Sequence, residues 1–346
     1  MEPRTEIRPP PWDLWETIVR RDPGGRGVAS YRHNGEPLGY GDLERAATEL
    51  AERGRRVAIV TGFCIADADP PAAETDGPPG ALFLARALAA TGSSALLVSD
   101  AFGAPLLEAG AALWNLSPPS CEIVAMPASG GANGEFDAWV DALFDRECPR
   151  GLTHVVAIER AGPSHTFDSV GEREGLPNAE RFAAETPPKH RDAHHNMRGA
   201  IIDRYTPPAH RIFERIAERN LAIATIGIGD GGNEIGMGRF PWSLLREAIR
   251  VGPAAHTACR IATDYTIVAG VSNWGAYALA LGVAAVRGRR NLAAAWTTED
   301  QARLIACTVA AGGVDGVSKR REASVDGIAL DDYLAVLDEL RQSLRD

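Results

Sequence analysis

Residues 226 to 238 read Ile-Gly-Ile-Gly-Asp-Gly-Gly-Asn-Glu-Ile-Gly-Met-Gly, six glycines among thirteen residues. Asp230, Asn233 and Glu234 stand between those glycines and can ligate a cation, accept a proton or orient a substrate. Glycine lets backbone come close to a ligand or adopt a positive φ, so Gly231 and Gly232 are expected to meet the substrate directly. Gly227, Gly229 and Gly232 match a G-x-G-x-x-G spacing, but an acid at Asp230 would repel a pyrophosphate. No Lys-Ser or Lys-Thr follows the run, so no nucleotide cofactor is expected. A tight-packing turn is the competing account, and a mixed carboxylate and amide site is favoured over it.

Other groups of the same character recur. Glu74-Thr-Asp76-Gly-Pro-Pro-Gly puts two carboxylates in a proline-stiffened loop before a helix, where an acid can ligate or simply cap. Glu159 and Arg160 pair a metal-ligating or proton-transferring acid with a guanidinium suited to a carboxylate, although a plain salt bridge reads the same way. His194-His-Asn-Met-Arg198 offers two imidazoles, but neighbouring residues do not share a helix face, which argues against a two-histidine clamp. Asn196 and Arg198 are the favoured pair there. Ser272 and Asn273 begin a helix and offer donors to an anion. Thr61 closes an apolar strand, and the nearby Cys64 reads as a buried thiol.

The elements that must hold these groups alternate along the chain. Short apolar runs at 56–60, 95–98, 121–125, 154–158, 221–226 and 265–269 are separated by helical patterns. That order predicts an α/β fold, a three-layer sandwich with a mostly parallel, doubly wound-like sheet and helices on both faces. Ligands in such sheets lie beyond the carboxyl ends of the strands. Those ends carry Thr61, Asp100, Glu159, Asp230 and Ser272-Asn273. Residues 1–55 read as a helical segment packed on the core, with a polar break at 20–27, and 56–346 as the α/β domain. Residues 161–206 form a long, partly ordered excursion over the site.

Bulk properties exclude several classes. Thirty-six basic against forty-six acidic residues give a net charge of −10, so no nucleic-acid partner is expected. No apolar run is long enough to span a bilayer and no signal peptide is legible, so no membrane partner and a cytoplasmic location are expected. Five dispersed cysteines without C-x-x-C spacing fit a reducing compartment. A homo-oligomer is compatible with all of this.

Taken together, Thr61-Gly-Phe, Glu74-Thr-Asp-Gly-Pro-Pro-Gly, Glu159-Arg-Ala-Gly, Asn196-Met-Arg, the 229–238 loop and Ala269-Gly-Val-Ser-Asn-Trp-Gly resemble the D-glutamate cyclase C-terminal-domain family. The resemblance runs from about residue 57 to 285. It implies reversible conversion of D-glutamate to 5-oxo-D-proline and water, a hydro-lyase activity on a small acidic metabolite. It also implies a divalent metal, Mg or Mn, in an acidic cavity. The eukaryotic cyclase carries a large additional N-terminal domain, so the resemblance is to one part of it. On this reading Asp230, Glu234 and Glu159 are ligands or bases, with Asp76 and Glu74 next. Arg160 or Arg198 holds the α-carboxylate, and Asn233, Ser272 and Asn273 orient the substrate. The same carboxylates also suit a metal-dependent phosphohydrolase. A non-catalytic small-anion-binding module is the third reading.

Overall fold

A computed structural model of the chain describes residues 9–128 and 134–345. Six strands form one sheet: β1 Arg56–Thr61, β2 Ser94–Ser99, β3 Cys121–Ala125, β4 Leu152–Ile158, β5 Ala224–Gly229 and β6 Tyr265–Val268. Their spatial order is β3-β2-β1-β4-β5-β6, and every neighbouring pair is parallel. The chain winds outward from β1 in one direction and from β4 in the other. The switch point therefore lies between β1 and β4, where a crevice must open beyond their carboxyl ends.

Alternation along each strand feeds two cores. Val57 and Ile59 of β1, with Val156 and Ile158 of β4, pack with helices Asp42–Arg53, Pro78–Ala90, Ser272–Val286 and Leu330–Gln342. Ala58, Val60, Val155 and Ala157 face the other layer, with helices Glu135–Glu147, His210–Glu218 and Trp242–Ala248. Strands buried on both faces explain the continuous apolar runs of the sequence. The helix Ser272–Val286 is apolar on nearly every side and is almost wholly buried, which a helix surrounded by protein requires. Among the described residues, no helix is long and apolar enough to cross a membrane.

Two expectations shift. The strand read at 221–226 runs from Ala224 to Gly229, so Gly227 and Gly229 are strand residues paired with Thr266 and Val268. Their lack of side chain serves a close approach: a Cβ on Gly227 would lie 2.6 Å from Cα of Gly236 and from the Ile235 carbonyl oxygen. The loop after β5 folds directly back over the strand there. Gly227→Ala is expected to lower stability by about 2 kcal/mol or more, because backbone must move to admit the methyl. An unchanged urea midpoint would remove the close-approach argument.

Within the excursion at 161–206 stand two helices, Phe167–Glu174 and Leu176–Glu185. The first starts with a reciprocal cap, in which Ser169 N–H donates to Thr166 Oγ1 at 3.0 Å and Thr166 N–H donates to Ser169 Oγ at 2.9 Å. The excursion is tied back to the molecule by bridges between Ala161 and Glu234 and between Ser164 and Cys259, and closed on itself by one between Pro163 and His194. It is built rather than loose.

Candidate active site

A cavity of about 260 Å³ opens at the switch point, small even for a metabolite pocket. Its lining includes Glu74, Glu159, Asn196, Arg198, Asp230 and Asn233, six of the residues singled out in the sequence. Arg26, Cys64, Asp67, Lys319 and Asp326 also line it.

The carboxylates converge because three strand ends and one loop meet here. Glu159 follows β4 directly, in a left-handed conformation (φ 44°) that a non-glycine residue rarely adopts. Such strain persists where surrounding contacts over-determine it and is concentrated at functional sites. Ser272 Oγ donates to Glu159 Oε2 at 2.6 Å. Asp76 accepts backbone N–H groups from Ser272 at 2.9 Å, Asn273 at 2.8 Å and Gly77 at 3.0 Å. The first turn of the Ser272 helix is therefore satisfied by a side chain of the protein itself. One carboxylate oxygen from each of Asp76, Glu159 and Asp230 lies within 4.8 Å of the other two, and all three residues are buried.

Burial raises the proton affinity of each. Glu159 is held well above the ordinary range by burial and by the charges of Asp230, Glu234, Glu74 and Asp76. Burial likewise lifts Asp230, against the opposing pull of Arg26. Asp76 is pushed up to about 7 by burial and by Asp326, in spite of the N–H groups it accepts from Asn273 and Ser272. Glu74 is raised well above its usual value by burial, with Asp326 and Asp76 adding. Burial also pushes the Cys64 thiol up to about 12, so it is protonated at neutral pH and is no ready nucleophile.

Three buried carboxylates call for cations. Arg26 supplies one: its guanidinium meets Asp326 Oδ1 at 2.8 Å and Asp230 Oδ2 at 3.3 Å. Asp230 Oδ2 has no hydrogen-bond partner among the described residues. An all-oxygen donor set, with one carboxylate oxygen that accepts no hydrogen bond and faces Arg26 at 3.3 Å, fits a hard divalent cation such as Mg or Mn. Asp76, Glu159 and Asp230 could hold one.

The remaining candidates take other places. Glu234 accepts N–H groups from Gly231 at 2.7 Å, Gly232 at 2.8 Å and Asp230 at 3.2 Å, so it holds the glycine loop from beneath. Neither Gly231 nor Gly232 lines the cavity, and their N–H groups are directed at Glu234. Arg160 donates to the carbonyls of Gly62 at 2.8 Å and Pro207 at 2.9 Å and pairs with Asp100, away from the cavity lining. The Asn273 side chain clamps the Glu74 loop: its Oδ1 accepts from Gly77 N at 3.0 Å and Gly80 N at 2.7 Å, and its Nδ2 donates to Thr75 O at 3.0 Å. Thr61 is fully buried beneath Gly77. Asn196 accepts from the Arg198 and Ala200 backbones, and Asn233 Nδ2 donates to the His195 carbonyl at 2.8 Å. Arg198 is exposed at the rim, 3.4 Å from Asp67, which also pairs with Lys319.

Arg26, Asp326 and Lys319 are the residues sequence reasoning missed. Arg26 sits in the polar break at 20–27, fixed by Asp22, whose carboxylate accepts from the Arg26 and Gly27 backbones at 3.0 and 2.8 Å. A guanidinium between glycines was its one legible signal. Asp326-Gly327 forms a positive-φ hairpin turn, a pattern that marks a turn without marking a site.

The family model described as D-glutamate cyclase-like, C-terminal, matches residues 15–170 and 181–341. Human mitochondrial D-glutamate cyclase is 30% identical over 276 residues, which cover 77% of this chain and 37% of that protein. The chain thus corresponds to little more than a third of the length of that relative. With most of its length matched by the family model, the chain belongs to the D-glutamate cyclase-like, C-terminal family.

Proposed function

We propose that the chain is a D-glutamate cyclase-like lyase that interconverts D-glutamate with 5-oxo-D-proline and water in this cavity. The observation that carries the reading is the convergence of Asp76, Glu159 and Asp230, buried and within 4.8 Å, at the switch-point crevice. A divalent cation on these oxygens supplies Lewis acidity toward a substrate carboxyl group when bound.

The protein's own groups have definable tasks. Lactam formation joins the α-nitrogen to the carbon of the γ-carboxyl group and breaks one carbon–oxygen bond of that carboxyl. The ammonium gives up two protons and the departing oxygen leaves with them as water. Glu159 lines the cavity; as a ligand of the ion it would be a carboxylate, able to take a proton from the amine and pass it to the leaving oxygen. Ser272 orients it through the 2.6 Å hydrogen bond. Arg198 and Lys319 at the rim meet the α-carboxylate, with Asp67 as the anion they exchange for it. Arg26 balances charge at the floor.

The test is turnover of D-glutamate and of 5-oxo-D-proline by metal-stripped protein, with and without Mn²⁺ or Mg²⁺. Activity restored by the ion supports the reading. Metal retention with phosphate release from simple esters, and no lactam chemistry, would replace it by a phosphohydrolase. The ion must also displace protons from carboxyls whose affinity for them is raised, Asp76 to about 7. Mn²⁺ affinity is therefore expected to increase as pH rises through about 7, by up to about tenfold per unit for each proton displaced. A pH-independent affinity would place the ion elsewhere.

A further inference from the structure

Outside the acidic cavity, His190, His195 and His256 bring their rings together. The chain is extended at 194–195, where His194 bridges Pro163 and His195 bridges Ile201. Successive side chains therefore leave on opposite faces. His194 turns to Asp203, at 2.7 Å, and to His210, at 3.2 Å. His195 turns the other way, its Nε2 lying 2.9 Å from Nδ1 of His190. The His256 ring stacks on His190 with centroids 4.1 Å apart and tilts against His195 at 5.2 Å. One ring nitrogen from each of the three lies within 4.8 Å of the other two.

We propose that His190, His195 and His256 form a second metal site, for a borderline transition-metal ion of the Zn²⁺ class, distinct from the carboxylate centre. Three imidazole nitrogens with no carboxylate among them select Zn, Co, Ni or Cu over Mg or Mn, whereas the acidic cavity has the opposite preference. A tetrahedral ion with Zn–N bonds of about 2.0–2.1 Å places its ligand nitrogens about 3.3 Å apart. The His190 and His195 nitrogens, at 2.9 Å, need only move slightly apart, and the His256 ring must turn out of its stack on His190 to bring a nitrogen in from within 4.8 Å. His190 and His256 are half-buried, so a water can take the fourth position.

The location suggests what the ion does. His190 and His195 belong to the excursion, and His256 to the short helix Ala254–Thr257. An ion bridging them staples the excursion to the segment after β5. Asn233 donates to the His195 carbonyl, and Asn196 and Arg198 follow in the chain. The staple thus stands directly behind one wall of the cavity.

The experiment uses the full chain, stripped by chelator, loaded with Zn²⁺ and passed through gel filtration before metal analysis. Wild type and Asp230→Asn are expected to retain one equivalent of Zn²⁺ that His256→Gln and His190→Gln lose, with affinity weakened tenfold or more. Circular dichroism of the variants separates ligand loss from misfolding. Co²⁺ added to wild type provides a reading that needs no variant: intense visible bands of a tetrahedral nitrogen site support the proposal. Equal Zn²⁺ content in all four proteins, loss of the ion in Asp230→Asn alone, or only the pale spectrum of octahedral Co²⁺ would overturn it.

Discussion

Asp230→Asn is expected to abolish tight Mn²⁺ binding and to lower turnover by more than about a hundredfold, since loss of even an outer-shell partner of a metal costs about 10–100-fold. The substitution keeps shape and removes charge. Asp230 Oδ2 accepts no hydrogen bond, and its neighbours are Arg26 on one side and the carboxyls of Asp76 and Glu159 on the other. A neutral amide there relieves repulsion and the cost of burying a charge. The metal-free variant is therefore expected to melt at the same temperature as wild type or roughly 2 °C or more higher, the scale of about 1 kcal/mol in a domain of this size. Lower activity with retained or increased stability is the signature of a group kept for function against the interests of the fold. Full turnover together with full Mn²⁺ content in the variant would remove the centre of the proposed mechanism. A large drop in melting temperature without metal would instead make Asp230 a structural partner of Arg26.

The sheet was legible because strands buried on both faces leave continuous apolar runs, and the runs ending at Thr61, Ile158 and Gly229 carry the site just beyond them. The identity of the polar residues was legible too, but their duties were not. Asp230 and Glu234 are equal candidates in the sequence. Only the turn between them decides that Glu234 receives three backbone N–H groups while Asp230 faces the cavity. Arg160, next to Glu159, and Arg198 are equal candidates in the sequence for the α-carboxylate. Glu159 leaves β4 in a left-handed conformation that breaks strand alternation, and Arg160 is directed to Gly62, Asp100 and Pro207. In the extended run at 194–195, alternation separates His194 from His195. The charge that does reach the carboxylates comes from Arg26, two hundred and four positions before Asp230, and no local pattern carries a contact of that range.

Asp326 brings the matter to its test, because it makes Arg26 the pivot of the whole charge arrangement. The guanidinium is held between Asp326 and Asp230, and Glu159 also raises its proton affinity. Arg26→Met removes the cation and leaves the carboxyls, and truncating one partner of a buried pair costs about 3–5 kcal/mol. The loss is expected to depend on pH. Without Arg26 the carboxyls rise further above their unfolded values near 4, so the folded protein binds more protons than the unfolded chain. That linkage stabilises the fold at low pH and is lost as pH increases through the folded values. The buried His154 and His195, both pushed down to about 4, act with the opposite sign in the same window. They are common to both proteins, so the difference between variant and wild type isolates the carboxyls. The Arg26→Met deficit in melting temperature is therefore expected to be smaller at pH 5.5 than at pH 8. Mn²⁺ is expected to restore more of it than it adds to wild type, since the ion supplies the missing charge. Arg26→Lys should lie between the two, because an ammonium supplies the charge but not the fork that meets Asp326 and Asp230 together. A deficit equal at both pH values and indifferent to Mn²⁺ would mean that Arg26 acts through packing alone, and the three carboxyls would then have to share their protons without it.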